Sequence, residues 1–246
     1  MKESIDLSGT RVGADEAAAV TEFCEALRNA PNLNIQSIIL YGSATGQEYR
    51  PGKSDINLLI IVERIDMAIL KGVLDPIMRG RQYGISPFFI TEVNLRSSAD
   101  VFPVKFLVMQ ESYKVLFGRD VLGELEIKRE HLRLRCEQEI KNLLLRLRRH
   151  YIMSGGQRLT EMMTTMVVGF LETLRVVLSL NQQSLLPRED VLNAAARTFG
   201  IDSEVLRDVR ALRTQNVMLS SDEAEQLYDK FMGIVDNLAR ITDQMK

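Results

Sequence analysis

Ile38-Ile39-Leu40-Tyr41-Gly42-Ser43, a polar loop from Ala44 to Ser54, and then Asp55-Ile56-Asn57-Leu58-Leu59-Ile60-Ile61-Val62 form the stretch that decides the fold. Two dense runs of Ile and Leu bounded by turn formers read as strands. Gly42-Ser43 is a small-residue turn leaving the first strand, and Asp55 opens the second. Gly46, Pro51 and Gly52 lie between them and favour turns. After Asn57 the second run is apolar at successive positions, which predicts a central strand covered on both faces.

Outward from this pair, the first half continues to alternate strands with helices. A helix is expected near Ala14 to Asn29, stopped at Pro31, and another from Asp66 to Met78. Further strands are expected at Ser86 to Asn94, Pro103 to Met109 and Tyr113 to Phe117, with Pro87 and Pro103 at strand starts or edges. Beyond Asp120 the apolar residues recur every three or four positions, which reads as helices. One runs from about Leu122 to Met153 and another from about Arg158 to Leu180. Pro187 suits the first turn of a short helix, Ser203 can cap a fourth, and a last one spans about Glu225 to Gln244. The expected class is α+β: a small mixed sheet with flanking helices over 1–118, then an all-helical bundle over 119–246.

Composition narrows the function classes. The chain has 246 residues, a net charge of −2, 46% hydrophobic and 26% charged residues. That is ordinary for a globular protein and carries no global basic footprint, so nucleic acid is not the expected partner. The basic cluster Arg146, Arg148, Arg149, His150 has Glu137 and Glu139 nearby and reads as a solvated face. Cys24 and Cys136 have no metal-ligand spacing and read as buried free thiols, in keeping with a reducing, cytoplasmic setting. The apolar segment from Met162 to Leu180 is interrupted by Glu172 and Arg175, which argues against a membrane span.

The chemistry concentrates at the opening stretch. Phosphoryl and nucleotidyl transfer rest on positioning and charge neutralisation, with magnesium ions clamping the attacking and leaving oxygens. Acids one residue apart on a strand point the same way and can share those metals. A preceding Gly-Ser turn lets backbone approach the phosphates. At Tyr41-Gly42-Ser43-Ala44 and Ser54-Asp55-Ile56-Asn57-Leu58-Leu59 the chain resembles the DNA polymerase β-like nucleotidyltransferase superfamily. It looks most like the bacterial aminoglycoside adenylyltransferase branch, whose wording is Tyr-Gly-Ser-Ala, a Pro-containing loop, and Ser-Asp-Ile-Asp-Leu-Leu. The resemblance implies a nucleotidyltransferase-type sheet, ATP or another nucleoside triphosphate as ligand or substrate, and magnesium. It implies Gly42 and Ser43 against the phosphates and Asp55 on the metal. Arg50 and Lys53 in the loop could meet phosphate oxygens or stay solvated.

Two departures stand out. Asn57 occupies the place of the second carboxylate. An amide oxygen can ligate magnesium, but losing a unit charge beside a divalent ion costs about 2–4 kcal/mol in partly screened surroundings. The third acid expected on a later strand is missing too; Glu92 and Asp100, at strand ends, are the candidates to replace it. The expectation is a nucleotide-binding protein with weakened or lost transfer. The alternatives are an active magnesium-dependent enzyme moving AMP from ATP to an acceptor hydroxyl, and a non-catalytic interaction protein that dimerises through its helical domain.

Overall fold

The computed structural model describes residues 5–46, 49–182, 185–215 and 217–245. The chain divides into two compact units, Met1–Ile127 and Lys128–Lys246. The sequence reading places the division after Gly118. Val121, Leu122 and Leu125 carry the first unit further, because they are buried in its core.

In the first unit α1 (Ala14–Arg28) leads into β1 (Ile35–Tyr41), which ends in a 3₁₀ turn, Gly42–Thr45. Then come β2 (Ile56–Val62), α2 (Met67–Gly72), α3 (Leu74–Arg81), β3 (Ile85–Thr91), α4 (Glu92–Ser97), α5 (Pro103–Glu111) and β4 (Tyr113–Gly118). The sheet order is β3-β2-β1-β4. β1 is antiparallel to β2 and β4, and β2 is parallel to β3. β2 is therefore central, as its unbroken apolar run requires. Ile56, Leu58 and Ile60 bury one face against Val20, Phe23 and Leu27 of α1. Leu59 and Ile61 bury the other against Leu95 of α4 and Phe106 and Met109 of α5. Pro87 lies inside β3, which it can do because β3 is an edge strand bonded only to β2.

Three expectations are corrected here. The helix expected from Asp66 to Met78 is two, α2 and α3, separated at Val73. Pro76 has no N–H to give the carbonyl of Gly72 and its ring would strike it, so one continuous helix is excluded. The strand expected from Ser86 to Asn94 stops at Thr91, whose hydroxyl accepts from Asn94 N and caps α4. Pro103 to Met109 is not a strand: Pro103 opens the helix α5, with Phe106 and Met109 one turn apart on its buried side.

The second unit has five helices among its described residues: α6 (Arg129–Ser154), α7 (Leu159–Gln182), α8 (Val191–Phe199), α9 (Ser203–Thr214) and α10 (Ser221–Gln244). The helix expected from Leu122 begins only at Arg129. Its buried stripe is Leu132, Cys136, Ile140, Leu143, Leu144 and Leu147. Gly155 ends it in the left-handed conformation, φ 60°. Pro187 lies in the turn ahead of α8, and Asp202 caps α9 through Glu204 N. Ser220 and Glu223 close a capping box on α10. Phe170 meets Phe231 edge-on at 5.4 Å between centroids, and the Tyr228 hydroxyl donates to Leu147 O at 2.8 Å. α7 is long and apolar enough to cross a membrane by length and composition. Its Met163, Val167, Phe170, Leu174 and Val177 are core residues of this bundle. Its Arg175 is 1% exposed, with Nε donating to Leu186 O and Nη1 to Glu172. Both cysteines are free and buried, and burial pushes each thiol up to about 12.

Candidate functional site

The 42–45 turn is held from two sides, by Ser112 and by Arg11. Gly42 N donates to Ser112 O at 2.9 Å, at the end of α5. The Thr45 hydroxyl donates to Gly42 O at 2.7 Å and is also hydrogen-bonded to the Ser112 hydroxyl. On the far side Arg11 N donates to Ala44 O at 3.1 Å. Gly42 has φ +79°, a region that a side chain disfavours. A Cβ added there would lie 3.7 Å from Asn57 Nδ2, which places the turn directly beside the amide. The Ser43 side chain is half-buried and its hydroxyl has no partner among the described residues.

Register shows what surrounds Asn57. Tyr41 pairs with Tyr113 on one side and with Asn57 on the other, and Asn57 pairs with Ser86. Directly paired residues point to one face of a sheet. Tyr113, Tyr41, Asn57 and Ser86 therefore form one row across all four strands, at the end of the sheet where the Gly42 turn sits. The next row on that face is Val115, Ile39, Leu59 and Phe88. The position beside Asn57 where a neighbouring strand could add an acid is Ser86, which is exposed. Sequence reasoning missed Ser86 and Tyr113, because their alignment with Asn57 is set by the β2–β3 crossover and by the pairing of β4 with β1.

Asp55 stands exposed just before β2, in line with Asn57 by strand alternation. Ile56 N donates to Gly84 O at 2.8 Å, which fixes the entry to the strand. The loop ahead of it is pinned to α1 by Glu16, whose carboxylate accepts from Gly52 N at 2.9 Å and from Gly13 N at 3.1 Å. Arg50 O accepts from both Lys53 N and Ser54 N in a tight turn. Arg50 and Lys53 are exposed there, and neither side chain has an acidic partner among the described residues.

Neither proposed replacement acid joins this row. Glu92 follows β3 at its opposite end, about 20 Å of strand away from Ser86. Its carboxylate is taken by Arg96 at 2.9 Å and by Arg119 at 2.5 Å, and Arg96 chiefly, with Arg119, holds it below its ordinary value. Asp100 lies in the turn between α4 and α5. Among the described residues no cluster of three or more His, Cys, Asp or Glu could hold a metal ion. Of the basic cluster singled out in the sequence, Arg148 pairs with Asp236 on α10, and the nearby Glu139 pairs with Arg135.

No family model and no curated protein matches the chain by sequence. Among solved structures it is similar to the spectinomycin adenyltransferase AAD(9) from Enterococcus faecialis, determined with ATP and spectinomycin. The match has a TM-score of 0.57 at 14% identity and covers 90% of this chain and 98% of that one. The chain thus shares with that enzyme an α+β fold, a mixed four-stranded sheet with flanking helices followed by a helical region.

Proposed function

We propose that the chain binds a nucleoside triphosphate, with ATP as the first candidate, and transfers its nucleotidyl group weakly or not at all. Gly42 and Ser43 form the backbone turn that receives the phosphates, and Arg50 and Lys53 on the adjacent loop meet their oxygens. Asp55 and Asn57 occupy the places where magnesium ligands would be needed. The observation that carries this reading is the row Tyr113, Tyr41, Asn57, Ser86, which contains no carboxylate.

A two-metal clamp needs several carboxylates to offset four positive charges and to place both ions in line with the reacting bond. Asp55 alone supplies one negative charge, and the amide of Asn57 and the hydroxyl of Ser86 supply none. This donor set does not fit two magnesium ions. Binding and positioning of the nucleotide survive the loss, since backbone and cationic groups do that work, whereas transition-state neutralisation does not.

ATP should bind with a micromolar-range Kd in calorimetry, and Gly42→Ala should weaken that binding. Absence of any ATP binding would overturn the reading. A second reading, Mg-dependent transfer of AMP to a small hydroxylated acceptor, is favoured by Asp55 being retained beside the Gly42 turn and by the likeness to a structure holding ATP and spectinomycin. A cytoplasmic location is the setting that suits a nucleotide ligand and two reduced thiols.

A further inference from the structure

The nucleotide reading leaves a charge problem, and α5 supplies an answer to it. A nucleoside triphosphate brings about four negative charges, which magnesium normally offsets. Where the acids are missing, a fixed cation near the same row can take that part.

Lys105 is such a cation. It lies on α5, whose C-terminal neighbour Ser112 holds Gly42 N, and whose Phe106 and Met109 pack on the site face of the sheet. The Lys105 ammonium sits 3.7 Å from the centroid of the Phe88 ring. Phe88 is in the row directly behind Asn57 and Ser86, one side-chain repeat or about 7 Å along β3. To reach the Ser86–Asn57 row the ammonium has to leave the ring and cover about that one repeat, a length comparable to a lysine stem.

Lys105 is also uncommitted. No carboxylate partners it among the described residues, unlike Arg96, Lys114 or Lys141. Lys105 is exposed as a residue, and partial desolvation beside the Phe88 ring lowers its ammonium from its ordinary value. An aromatic face holds such a charge without neutralising it. Taken with Arg50 and Lys53, three cations face the carboxylate of Asp55, while the Asp120 carboxylate at the Tyr113 end of the row accepts from the Tyr113 hydroxyl at 2.8 Å. That balance suits a bare polyphosphate better than a metal-bound one.

Resting on the nucleotide reading, we propose that Lys105 contacts the triphosphate in place of a metal, so that this protein binds nucleotide without magnesium.

The test is ATP titration by calorimetry in excess EDTA and in excess magnesium, with the natural chain, Lys105→Met and Lys105→Arg. The natural chain should bind ATP in EDTA within about threefold of its affinity in magnesium. Lys105→Met should lose roughly tenfold or more in EDTA, as expected for an ammonium–phosphate contact. Lys105→Arg should stay within about threefold of the natural chain, because it keeps the charge. A merely structural Lys105 would not shift the ratio of the two affinities. ATP binding that requires magnesium, or that Lys105→Met leaves unchanged in EDTA, overturns the proposal while the cradle stands. Failure to bind ATP in either solution removes the cradle reading itself. Should Lys105→Met not fold, Lys105→Gln takes its place in the same comparison, with the same roughly tenfold loss in EDTA expected and an unchanged affinity overturning the proposal.

Discussion

Restoring the acids one at a time measures what their absence costs. Asn57→Asp is nearly isosteric, and Ser86→Glu is on an exposed position, so neither disturbs the core. A unit charge about 4 Å from a divalent ion gains about 2 kcal/mol at the dielectric of water and more where solvent is partly excluded. Asp55 is exposed and Asn57 half-buried, so the low end applies, about 2–4 kcal/mol for each acid restored. Against this stands the repulsion between residues 55 and 57 on one strand face, about 0.6 kcal/mol over roughly 7 Å of water. The net gain for Asn57→Asp is about 1.5–3.5 kcal/mol, or about ten- to several-hundred-fold in metal affinity. The Ser86→Glu gain should add to it. Mn2+ binding followed by electron paramagnetic resonance reads this directly. The natural chain should show only loose Mn2+ binding, and the two variants should tighten it stepwise. Unchanged Mn2+ affinity in Asn57→Asp would mean that residues 55 and 57 do not converge on one ion, and the reasoning about this row would fail.

Other consequences follow from the backbone turns and the loop contacts. Gly42→Ala forces a side chain into φ +79° and should cost about 1–2 kcal/mol in urea denaturation. Gly155→Ala carries the same backbone penalty at φ +60°, so only the Gly42 variant should lose ATP binding as well. Gly118→Ala should prevent the first unit from folding, because its Cβ would lie 2.0 Å from Gln36 O; circular dichroism should show the sheet signal lost. Acid should loosen the loop before Asp55. Burial alone would raise the Glu16 carboxyl, but the Gly52 and Gly13 amides that donate to it outweigh burial and hold it below its ordinary value. A lowered folded value gives stability that is complete above the unfolded value and is lost as pH falls through the folded one. Thermal melts should therefore decline below about pH 4.5, and Glu16→Gln should flatten that part of the curve.

The strand pair β1–β2 was legible because its apolar runs are dense and bounded by Gly, Pro and Asp. α5 was not, since Val104, Phe106 and Val108 alternate as a strand would, while Pro103 at the first helical position and the Phe106–Met109 spacing gave the opposing signal. The break at Val73 was carried by Pro76 alone. Gly42, Ser43, Asp55 and Asn57 could be named from one stretch because a single antiparallel connection brings them together. Ser86 and Lys105 could not. The place of Ser86 beside Asn57 depends on the parallel register of β3 against β2, and that of Lys105 over Phe88 on the packing of α5; a register one residue different would turn every β3 side chain to the other face.

The central claim is a nucleotide cradle too poor in carboxylates for transfer, and pyrophosphate release tests it most directly. The natural chain is incubated with ATP, excess magnesium and a panel of small hydroxylated acceptors. The account predicts no release above the uncatalysed background, with ATP nonetheless bound. Sustained, acceptor-dependent release of pyrophosphate by the natural chain would contradict it.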